Sequence, residues 1–184
     1  MLFSSLVFLY AFLPMVILGY YLSPIRIKNY WLLLLSLVFF AWGGVSFTAI
    51  LVVSILFNYL FGIRIQNNLA SKKGYRWLVA GVSFNLMLLG VYKYANFFVE
   101  NLNWATGSQF ESPGIILPVG ISFYTFHSLS YLVDIYRKKV EAQRNIFELA
   151  LYISMFSQLI AGPIIRYSDV WQQLYQREHS LLKF

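Results

Sequence analysis

The sequence contains no cysteine. That excludes disulfides, thiolate metal sites, cysteine nucleophiles and S-acylation within these residues. Charge is also scarce, at 11% of 184 residues, against about 25% in an ordinary soluble domain. Only two histidines are present, His127 and His179. Motifs of soluble enzymes are missing too. There is no Walker loop, no glycine-rich dinucleotide turn, no His-Glu-x-x-His and no Gly-x-Ser-x-Gly elbow. No closely spaced pair of carboxylates lies in an apolar stretch, so general acid–base work by two acids has no obvious seat.

What is present is apolar. Hydrophobic residues make up 59% of the chain and aromatics 20%. A soluble fold of this size must turn much of its surface to water and cannot hide that much apolar area. A bilayer removes the constraint, and a spanning helix needs about 20 mostly apolar residues. The expected fold class is all-α: a polytopic transmembrane bundle forming one membrane domain over residues 1–184.

The first apolar run extends from Leu2 to Leu22, with Pro14 as a kink. No basic residue precedes it, so it reads as a retained span rather than a signal peptide. Residues 27–63 form a helical hairpin turning at Gly43-Gly44. A polar loop covers 64–76, and Trp77 to Tyr94 is a fourth span. Residues 95–112 suit an interfacial helix followed by a loop. Leu117 to Tyr136 is a fifth span, with Pro118 near its start. Phe147 to Ile165 is a sixth apolar segment, broken or re-entrant at Gly162-Pro163. Apolar positions from Tyr167 to Leu182 fit an amphipathic helix on the membrane surface. Trp31, Trp42, Trp77 and Trp104 fall near span ends, as an interfacial belt requires.

The formal net charge is +7. In a soluble protein that would raise nucleic-acid binding. Here the cations lie between apolar runs and read as topology determinants and lipid-headgroup contacts. The loops 23–29, 64–76 and 137–146 hold Arg26, Lys28, Arg64, Lys72, Lys73, Arg76, Arg137, Lys138, Lys139 and Arg144. That is ten of the fourteen basic residues. The turn at 43–46 and the stretch 95–114 hold none. The basic side is expected to be cytoplasmic and the N-terminus outside.

Two features could carry function. Tyr124, His127, Ser130, Tyr131, Asp134 and Lys138 share one helical stripe. Ionisable groups facing lipid are expensive, so this stripe should face protein or a wet cavity. It is either a polar path through the bundle or a hydrogen-bonded helix contact, with Asp134 paired to a base such as Arg137. The second feature is the break Ala161-Gly162-Pro163-Ile164-Ile165-Arg166, which either shapes a cavity or simply ends a helix. Asn58, Asn85 and Gln158 read as interhelical hydrogen-bonding groups. No residue is assigned as catalytic and none as a metal ligand.

Three stretches carry a resemblance. The opening Met1-Leu-Phe-Ser-Ser-Leu-Val-Phe-Leu-Tyr-Ala-Phe-Leu-Pro14 is one, and Lys93-Tyr-Ala-Asn-Phe97 another. The most specific is the series Leu117-Pro-Val-Gly-Ile-Ser-Phe-Tyr-Thr-Phe126, Tyr131-Leu-Val-Asp-Ile-Tyr-Arg137 and Ile160-Ala-Gly-Pro-Ile-Ile-Arg-Tyr167. In order and spacing they resemble the front part of the membrane-bound O-acyltransferases, in the alginate-acetylating branch. The resemblance covers essentially the whole chain.

It implies an incomplete version of that family's fold, in a bacterial inner membrane. It also implies an acyl thioester donor such as acetyl-CoA, a polysaccharide acceptor and periplasmic or extracellular acyltransferase partners. The family's catalytic histidine follows a tryptophan in a later segment. None of the five tryptophans here precedes a histidine, so the resemblance places the base beyond Phe184 and gives Gly162, Pro163 and Arg166 a cavity-shaping role. Two alternatives remain open: a non-enzymatic scaffold pairing with a separate catalytic chain, and a small transporter using His127 and Asp134 as a proton path.

The absence of cysteine makes the orientation directly testable. A single cysteine introduced between residues 64 and 76 is expected to react with a membrane-impermeant maleimide only from the cytoplasmic face. Labelling from outside intact cells would reverse the topology.

Overall fold

The computed structural model describes residues 5–159 and 165–175, and among these every regular element is a helix. A π-helical turn at Phe8–Phe12 runs directly into α1, Leu13–Leu22, with Pro14 in the first turn of the α-helix. The π register widens the helix just ahead of the proline, which lacks a backbone donor. The helix therefore changes type at Pro14.

Helix α2, Lys28–Gly43, and α3, Val45–Asn67, form the expected hairpin. Gly44 lies between them at φ 143°, a conformation closed to L side chains. Helix α4 covers Lys72–Thr106. Helix α5 is Ile121–Tyr136. Helix α6, Ile146–Ser154, ends at Met155 and is followed by the short α7, Phe156–Leu159. Helix α8 is Tyr167–Tyr175.

Two expectations need correction. The fourth span and the interfacial helix after it are one continuous 35-residue helix. No proline or glycine interrupts residues 91–106, and the asparagines that suggested a loop are satisfied with the helix intact. Asn101 donates to the Phe97 carbonyl, one turn back. Asn96 accepts from and donates to the backbone of Ile115, and Asn103 does the same with Phe110. The polar face thus holds the returning strand-like segment 108–115 against α4. At about 1.5 Å per residue α4 is about 52 Å long, well beyond the roughly 30 Å of bilayer hydrocarbon.

The second correction concerns the sixth apolar segment, which already breaks at Met155. There the freed Phe156 N–H donates to Ser36 Oγ of α2. Gly162 and Pro163, the expected break, lie outside the described residues, as does the amphipathic helix beyond residue 175.

Two apolar clusters hold the helices. One joins α3, α4, α5, α6 and α8 around Leu51, Ile65, Ile121, Leu132 and Leu149. The other joins the N-terminal helix, α2 and the α6–α7 break through Phe8, Phe12, Phe39 and Phe156. Their rings pack at centroid separations of 5.5–6.3 Å. Trp31 belongs here rather than to an interfacial belt. Its indole N–H donates to the Val16 carbonyl at 3.2 Å, and its ring fills the space left by Gly19. Trp104 and Trp42 are exposed, as a belt requires.

Close helix approach occurs at glycine. A Cβ on Gly62 would stand 2.7 Å from the Tyr131 hydroxyl, and one on Gly81 would stand 2.7 Å from Leu132. Outward faces remain strongly apolar, with Met87, Phe98, Ile116 and Leu18 each more than 60% exposed. Val45–Asn67 and Lys72–Thr106 are long and apolar enough to cross a membrane.

Between α3 and α4, Asn58 and Asn85 exchange two amide hydrogen bonds, at 3.1 and 2.8 Å. Each also donates to the carbonyl four residues earlier on its own helix. Both are fully buried. Asn58→Leu should destabilise the chain by about 1–3 kcal/mol, because it leaves the Asn85 amide unsatisfied. The double variant Asn58→Leu/Asn85→Leu should recover much of that loss. Detergent-solubilised thermal midpoints across the four-member cycle test this; additive losses would disprove the coupling.

Candidate functional site

The polar stripe on α5 begins with a turn. Pro118, Val119, Gly120 and Ile121 form a type II turn, with Gly120 at φ 77° and the Ile121 N–H donating to the Pro118 carbonyl. Only glycine takes that conformation without strain, which is the physical reason for a Pro-x-Gly sequence at the head of this helix. The turn sends Tyr124, His127, Tyr131 and Asp134 into the bundle. Tyr124 and Tyr131 are at most 1% exposed, His127 is fully buried and Asp134 is 4% exposed.

The structure divides this stripe into two environments. In the first half, polar atoms are enclosed without partners among the described residues: the Tyr124 hydroxyl, Thr125 Oγ1, both ring nitrogens of His127 and Ser128 Oγ. His127 packs its ring against Tyr152 of α6 at 5.3 Å. Its carbonyl accepts from Ser130 Oγ, which in turn meets the Tyr152 hydroxyl at 3.2 Å. Tyr152 donates onward to the Ile165 carbonyl at 3.0 Å.

The second half is densely bonded. The Tyr131 hydroxyl lies over Gly62 and accepts the Gln143 backbone N–H at 3.0 Å. Gln143 donates through its side chain to Glu148 and to the Tyr167 hydroxyl. Tyr167 packs edge-on against both Tyr131 and Tyr152 at 5.0 Å.

Asp134 does not pair with Arg137. Its Oδ2 is buried without a hydrogen-bond partner among the described residues, and Arg137 is exposed beyond the helix end. Arg166 is exposed just ahead of α8, and its carbonyl accepts the Asp169 N–H. Gln158 presents a buried Oε1 without a partner, so the expected interhelical bond at that atom is absent among the described residues. Tyr124, His127, Tyr131 and Asp134 therefore share one face of α5 inside closed packing. Among the described residues no group of three metal-ligating side chains forms.

The sequence reading missed the segment 137–145, which was taken as a simple basic connection. It is tied down at four consecutive residues, 142 to 145. The Ala142 N–H donates to Gln66 Oε1, the Arg144 carbonyl accepts from Tyr59 Oη, and the Gln143 side chain receives the Asn145 N–H. Beside it lies an open groove of about 790 Å³. Lys138, Lys139, Arg144, Gln66, Tyr167 and Trp171 line its walls. Nothing in the one-dimensional spacing brings α3, this segment and α8 together.

Comparison with known proteins decides the family. The chain is 43% identical along its entire length to an Azotobacter vinelandii protein named "Probable alginate O-acetylase". It matches the protein of the same name from Pseudomonas aeruginosa equally well, at 43%. It is 33% identical to a Helicobacter pylori peptidoglycan O-acetyltransferase. The chain belongs to the membrane-bound O-acyltransferases, in the alginate O-acetylase branch. It spans 36–40% of the length of these relatives and corresponds to their N-terminal part. No family model matches the chain, and no solved structure does. The Pro-Val-Gly turn, the α5 stripe and the tethered 137–145 segment are one continuous piece of this sequence.

Removing the Tyr131 hydroxyl should free that segment. Tyr131→Phe leaves the buried Gln143 N–H without an acceptor, at a cost of about 1–3 kcal/mol. Amide hydrogen exchange should accelerate across residues 139–145 and remain unchanged in α2. Uniform acceleration throughout the bundle would contradict a local tether.

Proposed function

We propose that this chain is the N-terminal membrane portion of an O-acetyltransferase that moves acetyl groups from a thioester donor to hydroxyls of an exported polysaccharide such as alginate. The observation that carries this reading is end-to-end similarity, at 43% identity, to proteins named as alginate O-acetylases. The Helicobacter pylori relative, named for peptidoglycan, extends the acceptor class to a second envelope polymer.

The proposed setting is a bacterial inner membrane, crossed about five times with a broken sixth segment and with the N-terminus outside. Exposed apolar side chains on α1 to α4 support it, as does the clustering of cations between alternate helices. The donor is acetyl-CoA or another acyl thioester. Periplasmic acyltransferases are the expected partners of the exported acetyl group.

In the reaction an acceptor hydroxyl oxygen attacks the thioester carbonyl. A base takes the hydroxyl proton, the new ester forms, and the thiolate leaves and is protonated. None of these 184 residues is proposed as that base. His127 is enclosed within the packing around α5, and neither ring nitrogen has a hydrogen-bond partner among the described residues. Tyr124, His127, Tyr131 and Asp134, with Gly162, Pro163 and Arg166, belong to the wall of the acyl path in the complete bundle.

A second reading, a non-enzymatic scaffold pairing with a separate catalytic chain, has the same sequence signature.

A chimera tests the first reading. In a Pseudomonas aeruginosa strain lacking its alginate O-acetylase, this chain should replace the matching segment of that protein and restore acetyl ester to secreted alginate. Chain 1–184 alone should restore none. A chimera that inserts and accumulates normally but transfers nothing argues against the transferase reading. Turnover by the chain alone would move the base inside it.

A further inference from the structure

The transferase reading places Arg166 in the wall of the acyl path, and the Arg166 side chain is exposed. What is fixed is its backbone, from both sides. Ahead of it, the Ile165 carbonyl accepts the Tyr152 hydroxyl proton at 3.0 Å. Behind it, the Tyr167 ring is wedged edge-on between Tyr131 and Tyr152, at 5.0 Å from each. The Tyr167 hydroxyl also accepts from Gln143 Nε2 at 3.2 Å. Tyr152 acts on both sides, through its hydroxyl and through its ring. It is 2% exposed on α6, so it ties the packed interior of the bundle to the residues flanking Arg166.

Counting protons sharpens that role. A phenol has one proton to donate. Tyr152 gives it to Ile165, so in the 3.2 Å contact with Ser130 Oγ the phenol accepts and Ser130 donates. Ser130 shares its own proton between Tyr152 and the His127 carbonyl, 2.9 Å away. A hydroxyl that receives a hydrogen bond is polarised and donates more strongly. Ser130 of α5, Tyr152 of α6 and Ile165 ahead of α8 therefore make a directed chain. It ends on the residue before Arg166.

We infer that Tyr152 is a positioning residue of the transferase, acting through Ile165 and Tyr167 to fix where Arg166 stands. Its consequence for the reaction rests on the transferase reading, whereas the bonds stand without it. Tyr152 lies on α6, away from the stripe that the spacing of α5 picks out.

The test uses the purified chimera with acetyl-CoA and alginate, and the chain 1–184 in detergent micelles. Tyr152→Phe keeps the ring and removes the bond to Ile165. In the chimera kcat should fall about tenfold, the cost of a small misplacement of a wall residue, with KM unchanged. Ser130→Ala should cost about twofold, and nothing more on top of Tyr152→Phe, because Ser130 acts through Tyr152. Tyr59→Phe removes a comparable bond, from its hydroxyl to the Arg144 carbonyl, and should leave kcat unchanged.

In the chain 1–184, amide hydrogen exchange across residues 167–171 should accelerate in Tyr152→Phe and not in Tyr59→Phe. A merely structural tyrosine would lower the amount of folded enzyme, leave kcat per folded molecule unchanged and add its effect to that of Ser130→Ala. Unchanged exchange in Tyr152→Phe overturns the tether. Faster exchange with unchanged kcat overturns its role in the reaction. If the unsubstituted chimera is inactive, the transferase reading falls and takes the positioning role with it, and exchange across 167–171 still decides whether the tether exists.

Discussion

The Tyr131 side chain, seated in the notch at Gly62, is the contact on which the basic end of this bundle depends. Glycine lets α3 and α5 approach until the phenol lies on the backbone. The hydroxyl then receives the Gln143 N–H. One side chain thus spaces two helices and anchors the connection that follows the second. Tyr167 closes the arrangement by packing edge-on against the same ring. A larger residue at 62 would push the phenol away and release helix spacing and connection together.

The bundle solves its polar problem in two different ways. Between α3 and α4, Asn58 and Asn85 satisfy one another and their own helices, which makes a closed structural clamp. Along α5, Tyr124, Thr125, His127 and Ser128 bury polar atoms that nothing among the described residues receives. Buried groups of that kind oppose folding unless something offsets them. They mark the inner face of α5 as the place where further polar contact would be gained.

Much of the architecture was legible along the chain. The hairpin at Gly43-Gly44, the long apolar segments and the asparagine pair follow from local composition, because lipid-facing helices need apolar length and glycine opens their turns. The inward direction of the α5 stripe was legible for the same reason, since ionisable side chains avoid lipid. The continuity of α4 past Tyr94 was not. Asn96, Asn101 and Asn103 look like loop residues until the segment 108–115 comes back to bond with two of them. Nor was the break at Met155, where Ser36 from a distant helix takes the freed N–H.

By itself, the sequence determined that the chain is helical, rich in apolar surface and basic at alternate connections, and it carried the family resemblance that comparison bears out. These properties are set by residue type and by periods of a few residues. Tertiary structure alone decided that Trp31 locks α1 to α2, that Asp134 turns inward away from Arg137, and that Lys138, Lys139 and Arg144 meet Gln66 and Trp171 around one groove. Each depends on side chains far apart in the chain, and their meeting is fixed by helix packing at glycine rather than by any local pattern.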